Sequence, residues 1–453
     1  MDIAVLDLTH GGDLIAQSFA ETDGVIAVDV YATVSDEARR DLESSGIPVL
    51  TEPPDAGSFD LIVAPVHLDS AYRTLHDARA ADVSVPVITH HAAVYEILKQ
   101  RLERYHVVEV TGTTAKTSTV RMLAGMLAEC TGKKIVSHTS AGVEYWDGGG
   151  GDGDGAGSGG ISARTIAKWS IAPASIIRAV QSVKAEPGVE PDIFIFEVSL
   201  GGTGLADTGI ITTLTGDYQI ANKTGTASSA KMQMVKRAKP GSTLILNRDV
   251  GLTTNPAANV LIFGDGGAEG DGVDVRFEEI DHEHAVVTAM NRRIEFIVED
   301  YDIFSYRTAI LAAVSAAISM NTDPDCIESF LDGFRGVSGR MKIMEIDGRT
   351  VIDNSNSGMN ISSAESAIDH VRRIAGDGRV VMIIGIEEYN VCEGLDTDEV
   401  VRLIGRNQDF IDRFITVGIE SDCEADDLDS GITMAMDLTE TGDTIISCVK
   451  CFR

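Results

Sequence analysis

At 453 residues the chain is long enough for about three domains of ~150 residues. Hydrophobic residues make up 43% and charged residues 24%, which supports a packed core and excludes wholesale disorder. The formal charge of −33, with 37 Lys and Arg against 70 Asp and Glu, argues against a nucleic-acid binder or a partner of anionic membranes, since both need a basic face.

No run reaches the ~20 apolar residues that cross a bilayer, and the start MDIAVLDLTHGG lacks the basic opening of a signal peptide. The six cysteines, Cys130, Cys326, Cys392, Cys423, Cys448 and Cys451, are few and scattered, so a reducing cytoplasm is expected. Only Cys448 and Cys451 have ligand-like spacing, and one such pair is a weak metal signal.

The first ~95 residues alternate short apolar runs with helical patterns. Ile3 to Leu8 reads as a buried strand, Gly11-Gly12 as a turn, and Leu14 to Ala20 as a helix. Val25 to Tyr31, Phe59 to Val66 and Val85 to His90 are further strands of a small parallel α/β unit. Asp29 ends the second strand where a dinucleotide fold holds a ribose, but GxGxxG is absent, which argues against a nicotinamide cofactor.

Ala92 to Arg104 reads as a helix leading into a second unit, whose first strand is His106 to Val110. Val120, Leu123 and Leu127 repeat with helical spacing. Asp192 to Ser199, Gly209 to Leu214 and Thr243 to Asn247 are continuous apolar runs, as in strands buried on both faces. AVVTAM and RIEFIV flank Asn291-Arg292 as a hairpin. Gly148 to Gly160 holds nine glycines in thirteen residues, a density that cannot support a core, and is read as a surface insertion or a lid.

A third unit is placed from about residue 306, opening with the small-residue helix RTAILAAVSAAISM. MKIMEI and RTVID flank Asp347-Gly348 as a hairpin. Val380 to Gly385, Phe414 to Ile419 and Asp443 to Val449 are its later strands.

Three features carry chemistry. In Thr111 to Ser118, TGTTAKTS, a strand runs into a Gly-containing turn that opens a helix. Backbone N–H groups and the helix dipole there favour phosphate. Gly112, Thr113, Thr114, Ala115, Lys116, Thr117 and Ser118 are the expected nucleotide contacts, with Lys116 reaching the β/γ-phosphates and Thr117 binding Mg²⁺. Ala115 replaces the usual glycine and is expected in an ordinary backbone region, because alanine disfavours positive φ. Glu197 ends an apolar strand where a sheet's carboxyl edge faces ligand; an unpaired carboxylate is costly to bury, and a Mg²⁺ role satisfies it. Tyr218 to Arg248 contains no acid and six bases, Lys223, Lys231, Lys236, Arg237, Lys239 and Arg248, a sign reversal that suits an anionic ligand.

Taken in order, these residues resemble the Mur ligase family, ATP-dependent enzymes that activate a carboxylate as an acyl phosphate. The resemblance implies an α/β, three-domain architecture: a Rossmann-like substrate domain (1–95), a central P-loop ATPase domain with a parallel sheet (96–305), and a C-terminal Rossmann-like domain closing on nucleotide (306–453). It implies that Lys231 is the lysine the family carbamylates, giving a second-metal ligand beside Thr117 and Glu197, or that it stays an ammonium. Asn247 and Asp249 match a nucleotide-contacting Asn-x-Asp, while Arg340, after Gly339, and Asp353 match residues that approach nucleotide on domain closure. Two departures stand out: Tyr218 follows Asp217 where the family has a metal-binding His, and Tyr306-Arg307 replace an interdomain His-Asn.

LDLTHGG and TGTTAKTS are most similar to the archaeal branch of the family that closes a carbocyclic ring on a nickel tetrapyrrole. That resemblance implies ATP, Mg²⁺ and a small nickel-bearing polycarboxylate substrate, catalysis by Lys116, Lys231 and Arg340, and a cytoplasmic monomer or homodimer. His10, His90 and His91 sit at strand ends of the first unit, where one could approach nickel or a propionate. The alternatives are a Mur-type amide or peptide ligase, which shares every ATP-site residue, and a nucleotide sensor, which needs no acyl-phosphate machinery.

Overall fold

The computed structural model describes residues 1–80, 85–148, 163–251, 255, 257–265, 272–374, 376, 378–387 and 394–451. Cys392 and all but the first residue of the glycine-rich run 148–160 lie outside them.

The first unit comprises β1 (Asp2–Leu6), α1 (Asp13–Ala20), β2 (Gly24–Val28), α2 (Asp36–Ser44), β3 (Val49–Leu50), β4 (Leu61–Ala64), α3 (Arg73–Ala78), β5 (Val87–Thr89) and α4 (His90–Leu98). Its sheet is parallel, ordered β3-β2-β1-β4-β5. The interior strand β1 is buried from Ile3 to Leu6 because helices cover both faces, so its sequence runs apolar instead of alternating. Chain connections leave β1 in opposite directions toward β2 and β4, which opens a crevice at its carboxyl end.

The central unit begins with β6 (His106–Thr111), α5 (Lys116–Thr131), β7 (Ile135–Thr139), β8 (Gly142–Trp146), β9 (Ala163–Ala167) and α6 (Ser175–Ala185). It continues through β10 (Ile193–Glu197), β11 (Thr208–Ile211), β12 (Gln219–Ile220), β13 (Gly225–Thr226), α7 (Ala227–Lys231), α8 (Gln233–Lys236) and β14 (Thr243–Asn247). β15 (Asn259–Phe263), β16 (Val275–Ile280), β17 (His284–Ala289) and β18 (Arg292–Ile297) complete it. The eleven-stranded sheet runs β18-β17-β16-β15-β14-β11-β6-β10-β7-β8-β9. It is mixed, not wholly parallel as the resemblance implied: β7-β8-β9 and β16-β17-β18 are antiparallel wings on a parallel centre.

α9 (Ile303–Ser319) and α10 (Pro324–Gly333) follow. A division at 305/306 cuts through α9, which packs along α5 with Ala309, Ala312, Ala313 and Ala316 fully buried. Small side chains let the two helices approach closely, so α9 belongs to the central core. Cys130 on α5 and Cys326 on α10 form a disulfide, a pairing that runs against the expected reducing compartment and that their separation of 196 residues hides from sequence.

The third sheet starts only at β19 (Lys342–Ile346) and β20 (Arg349–Asp353), then α11 (Ile361–Ile374), β21 (Val380–Ile386), α12 (Thr397–Asn407), β22 (Arg413–Val417), β23 (Glu424–Ala425), α13 (Leu428–Leu438) and β24 (Thr444–Lys450). Its order is β19-β20-β24-β21-β22-β23, parallel except for β19. The β19–β20 hairpin turns through Asp347 and Gly348, both at positive φ, as a two-residue turn requires. Cys448, on β24, is buried, its thiol pushed up to about 12 by burial, which suits a core residue and not a metal ligand. No helix among the described residues is long and apolar enough to cross a membrane.

Candidate active site

The phosphate loop lies between β6 and α5, where β6 has β11 on one side and β10 on the other. Gly112 has φ +151, and a Cβ there would stand 2.0 Å from Thr212 Oγ1, so only glycine fits. The loop is pinned to the end of β11: Thr113 N–H donates to Thr213 O at 2.9 Å, and Thr212 Oγ1 donates to Thr114 O at 2.6 Å. Lys116 Nζ folds back onto Gly112 O at 3.1 Å and Thr113 O at 3.4 Å. Ala115, expected in an ordinary region, is left-handed, with φ 64 and ψ 0. The reversal is what starts α5 at Lys116, and it outweighs alanine's local preference at about 1–2 kcal/mol. Two bonds from Thr119 to Ala115 O, from N at 2.9 Å and Oγ1 at 2.8 Å, hold that residue in place.

Glu197 ends β10 and is buried. Its Oε2 accepts from Thr117 Oγ1 at 2.9 Å and from Ser140 N–H at 3.3 Å. A hydroxyl beside a buried carboxylate is the hard-oxygen donor set that Mg²⁺ takes, so the residues present fit the ion. Arg340, from the run between α10 and β19, reaches this pair: Nη2 donates to Thr117 Oγ1 at 3.1 Å and to Ser140 Oγ at 3.4 Å. Three contacts aim it. Nη1 donates to Asn356 Oδ1 at 2.6 Å, Asn356 Nδ2 donates to Gly339 O at 2.6 Å, and Gly339 N–H donates to Asp353 Oδ2 at 2.8 Å. Asp353 thus steadies the Gly339-Arg340 turn. Tyr306 does so as well, its buried hydroxyl accepting from Val337 N–H at 2.7 Å.

Lys231 is buried at the end of α7, with Nζ donating to Thr113 Oγ1 at 3.1 Å and lying 5.1 Å from the centre of the Tyr218 ring. Asp217 caps the start of α7, accepting from Ser228 N–H at 2.7 Å. Asn247 and Asp249 organise the loop after β11. Asn247 Nδ2 donates to Thr212 O at 2.7 Å, while Asp249 Oδ2 accepts from Leu214 N–H at 3.0 Å, Thr215 N–H at 3.1 Å and the Thr213 hydroxyl. Their bonds seat the residues that pin the phosphate loop.

The acid-free window is not one basic surface. Lys231 faces the phosphate loop, but Arg237 donates to Thr203 O at 2.9 Å and Lys239 pairs with Asp207 at 2.7 Å, at the opposite edge of the sheet. Arg307, in place of the family Asn, pairs with Asp265 at 2.5 Å.

The histidines divide. His90 and His91 are buried and donate from Nε2 to Leu6 O at 2.9 Å and Ser199 O at 2.8 Å; burial pushes both down to about 4. They brace the fold, and His91 fastens the first unit to the central one. His10 is half-exposed and bonds through Nδ1 to Asp7 Oδ2 at 2.7 Å, where His67 Nε2 also arrives at 3.1 Å. Burial works to raise the Asp7 carboxyl, but hydrogen bonds from the two imidazoles outweigh it and hold the group well below the usual carboxylate range. The same bond to Asp7 raises the His10 imidazole.

Sequence reading missed Ser140, Asn356 and His67. His67 follows a predicted strand end by one residue, so the reasoning that selected His10 also reaches it. Ser140 and Asn356 carry no local signal.

A family described as "Coenzyme F430 synthetase CfbE, C-terminal domain" matches residues 343–451. The chain is 39% identical over 488 residues to the coenzyme F(430) synthetase of Methanosarcina acetivorans, covering 100% of this chain and 98% of that relative. It is 23% identical over 430 residues to the coenzyme F(430) synthetase of Methanocaldococcus jannaschii, covering 91% and 90%. Among solved structures, the MurF ligase from Thermotoga maritima in complex with ADP aligns over 97% of this chain and 96% of that one, at 12% identity and a TM-score of 0.53. This likeness is one of fold and matches the three-domain Mur architecture.

Proposed function

Since the chain belongs to the coenzyme F(430) synthetase family of ATP-dependent ligases, we propose that it phosphorylates a propionate of a nickel seco-tetrapyrrole and closes the last carbocyclic ring. The propionate oxygen attacks the γ-phosphorus of ATP, the bond to the β/γ-bridging oxygen breaks, and ADP leaves. A ring carbon, having released a proton to solvent and kept the electron pair, then attacks the acyl carbonyl. The new C–C bond forms, the C–O bond to phosphate breaks, and a ketone and inorganic phosphate result.

Phosphoryl transfer asks the protein for position and charge neutralisation more than for covalent chemistry. The backbone of Gly112 to Thr117 and the α5 dipole cradle the phosphates. Lys116 leaves the loop carbonyls for the β/γ-phosphates. Thr117 and Glu197 would hold Mg²⁺, which when bound offsets charge on the phosphate oxygens. Arg340 moves from the Thr117 hydroxyl onto the transferring phosphoryl group. We read Lys231 as an ammonium steadying the acyl phosphate: two of its contacts, a hydroxyl and the face of Tyr218, suit a cation. ATP dependence puts the reaction in the cytoplasm, with the first unit contributing to the substrate cleft.

The single observation carrying this reading is the hydrogen-bonded set Arg340–Thr117–Glu197, which brings a cation from beyond α10 onto the phosphate loop. The test is ADP release with the nickel seco-acid compared with simple amino acids. Release only with the seco-acid, with a ring-closed ketone as product, is expected. Release only with an amino acid would make the chain an amide ligase.

A further inference from the structure

The carboxyl end of β1 holds a cluster that the ATP chemistry leaves unused. Asp7 has φ 69, a strained value for a non-glycine residue, and such strain gathers at sites of function. Its side chain is fully buried, with Oδ1 fixed by Thr9 N–H at 3.0 Å. Oδ2 meets His10 Nδ1 at 2.7 Å and His67 Nε2 at 3.1 Å, and those two nitrogens are 3.2 Å apart. Three ligating atoms therefore converge from three chain segments, the end of β1, the turn before α1 and the loop after β4. Only protons or a cation between them can offset their mutual repulsion.

Around a metal with bonds of about 2.1 Å, tetrahedral ligand atoms lie about 3.4 Å apart, so the trio accepts an ion by opening about 0.2–0.3 Å at the two His67 contacts and about 0.7 Å between His10 and Asp7. The side chains of His10 and His67 are 37% and 25% exposed, which leaves the solvent side open for a further ligand. The cluster also borders the central unit: a Cβ on Gly11 would stand 2.7 Å from Ala174 Cβ, and Asp69 accepts from Asn222 at 2.9 Å. A second convergence, His282 with Asp302 and His370, is more closed, the His370 and Asp302 side chains being 4% and 3% exposed.

We propose that Asp7, His10 and His67 form a binding site for a divalent first-row transition metal, with an open coordination position on its solvent side. Two imidazoles and one carboxylate suit such an ion better than Mg²⁺ or Ca²⁺, which prefer oxygen alone. The three atoms hold a free ion; a metal already chelated in a macrocyclic substrate has only axial positions left and takes one imidazole at most, an outcome that rests on the proposed function and that the second arm tests.

Two arms of one experiment decide. In the first, Co²⁺ and then Zn²⁺ are titrated into the full chain, read by visible absorption and calorimetry, for the wild type, His10→Ala and His67→Ala. In the second, nickel X-ray absorption is recorded for the nickel seco-acid bound to the same three proteins. The expected result is a metal-centred signal in the first arm, weakened at least about tenfold in both variants while ATP affinity is kept. A signal in the first arm supports the three-atom site, and one in the second arm alone shows a single axial ligand to the substrate's metal and overturns it. No wild-type signal in either arm overturns the proposal, as does a His67→Ala protein that matches the wild type. ADP release on the seco-acid is scored separately, so failure of the ligase reading is distinguishable from failure of the metal site.

Discussion

The carboxyl ends of β1 and β6 make an instructive pair. Each strand is flanked by neighbours reached in opposite directions, each is followed by a tight turn that opens a helix, and each turn contains a non-glycine residue at positive φ, Asp7 at 69° and Ala115 at 64°. After β6 the turn carries Gly112 and Lys116 and opens α5, a helix N-terminus of the kind that suits an anion. After β1 it carries Asp7 and His10 and gathers ligand atoms suited to a cation. Topology supplies the crevice, and a few turn residues set the sign of what enters it.

The largest effect should come from Lys116→Ala, which removes the cation proposed for the β/γ-phosphates. ADP formation should disappear, and retained turnover would remove the β6 turn from the comparison. Arg340→Ala should lower kcat by about 10³, the scale of an arginine that stabilises a transferring phosphoryl group, with ATP affinity little changed. A loss confined to KM would make Arg340 a ground-state contact only.

The buried imidazoles that brace the β1 side predict a pH effect. His90 and His91 fall from 6.5 in the unfolded chain to about 4 in the folded one, so the unfolded state binds more protons between those values. Their contribution is full above pH 6.5 and lost as pH falls toward about 4, by a few kcal/mol for each. Urea midpoints should drop between pH 7 and pH 5, and His90→Gln should flatten that drop. The smallest effect is expected from Ala115→Gly, which relieves the left-handed strain and should stabilise the fold by about 1 kcal/mol in urea unfolding, with ATP binding kept. A destabilised variant would show that the strain is offset by the alanine methyl's own packing.

The β6 turn was legible in the sequence because its chemistry is contiguous: strand, glycine, lysine, hydroxyl and helix follow one another in eight residues. Glu197 was legible because a carboxylate closing an apolar run has few bland explanations. The partners of Arg340 were not. Thr117 and Ser140 lie 223 and 200 residues away from it, and no local pattern records such a meeting. Asn356 is hidden for a different reason, since its value lies in orienting another side chain. Ala115 was misjudged because a tertiary demand overrode a local preference, and the antiparallel wing β7-β8-β9 because its middle strand is buried throughout and shows no alternation.

The Thr117 hydroxyl donates to Glu197 and accepts from Arg340 at the same time. One oxygen therefore joins the Glu197 carboxylate to the Arg340 guanidinium, and an ion seated on it would compete with the guanidinium for its lone pairs. Such competition is a thermodynamic linkage, and linkage is reciprocal. Under the proposed function, whatever drew Arg340 toward a phosphoryl group would favour metal on Thr117, and metal there would release Arg340 by the same factor. The nucleotide, the ion and the arginine would then load as a cooperative set, with Thr117 as the switch that keeps any one of them from acting alone.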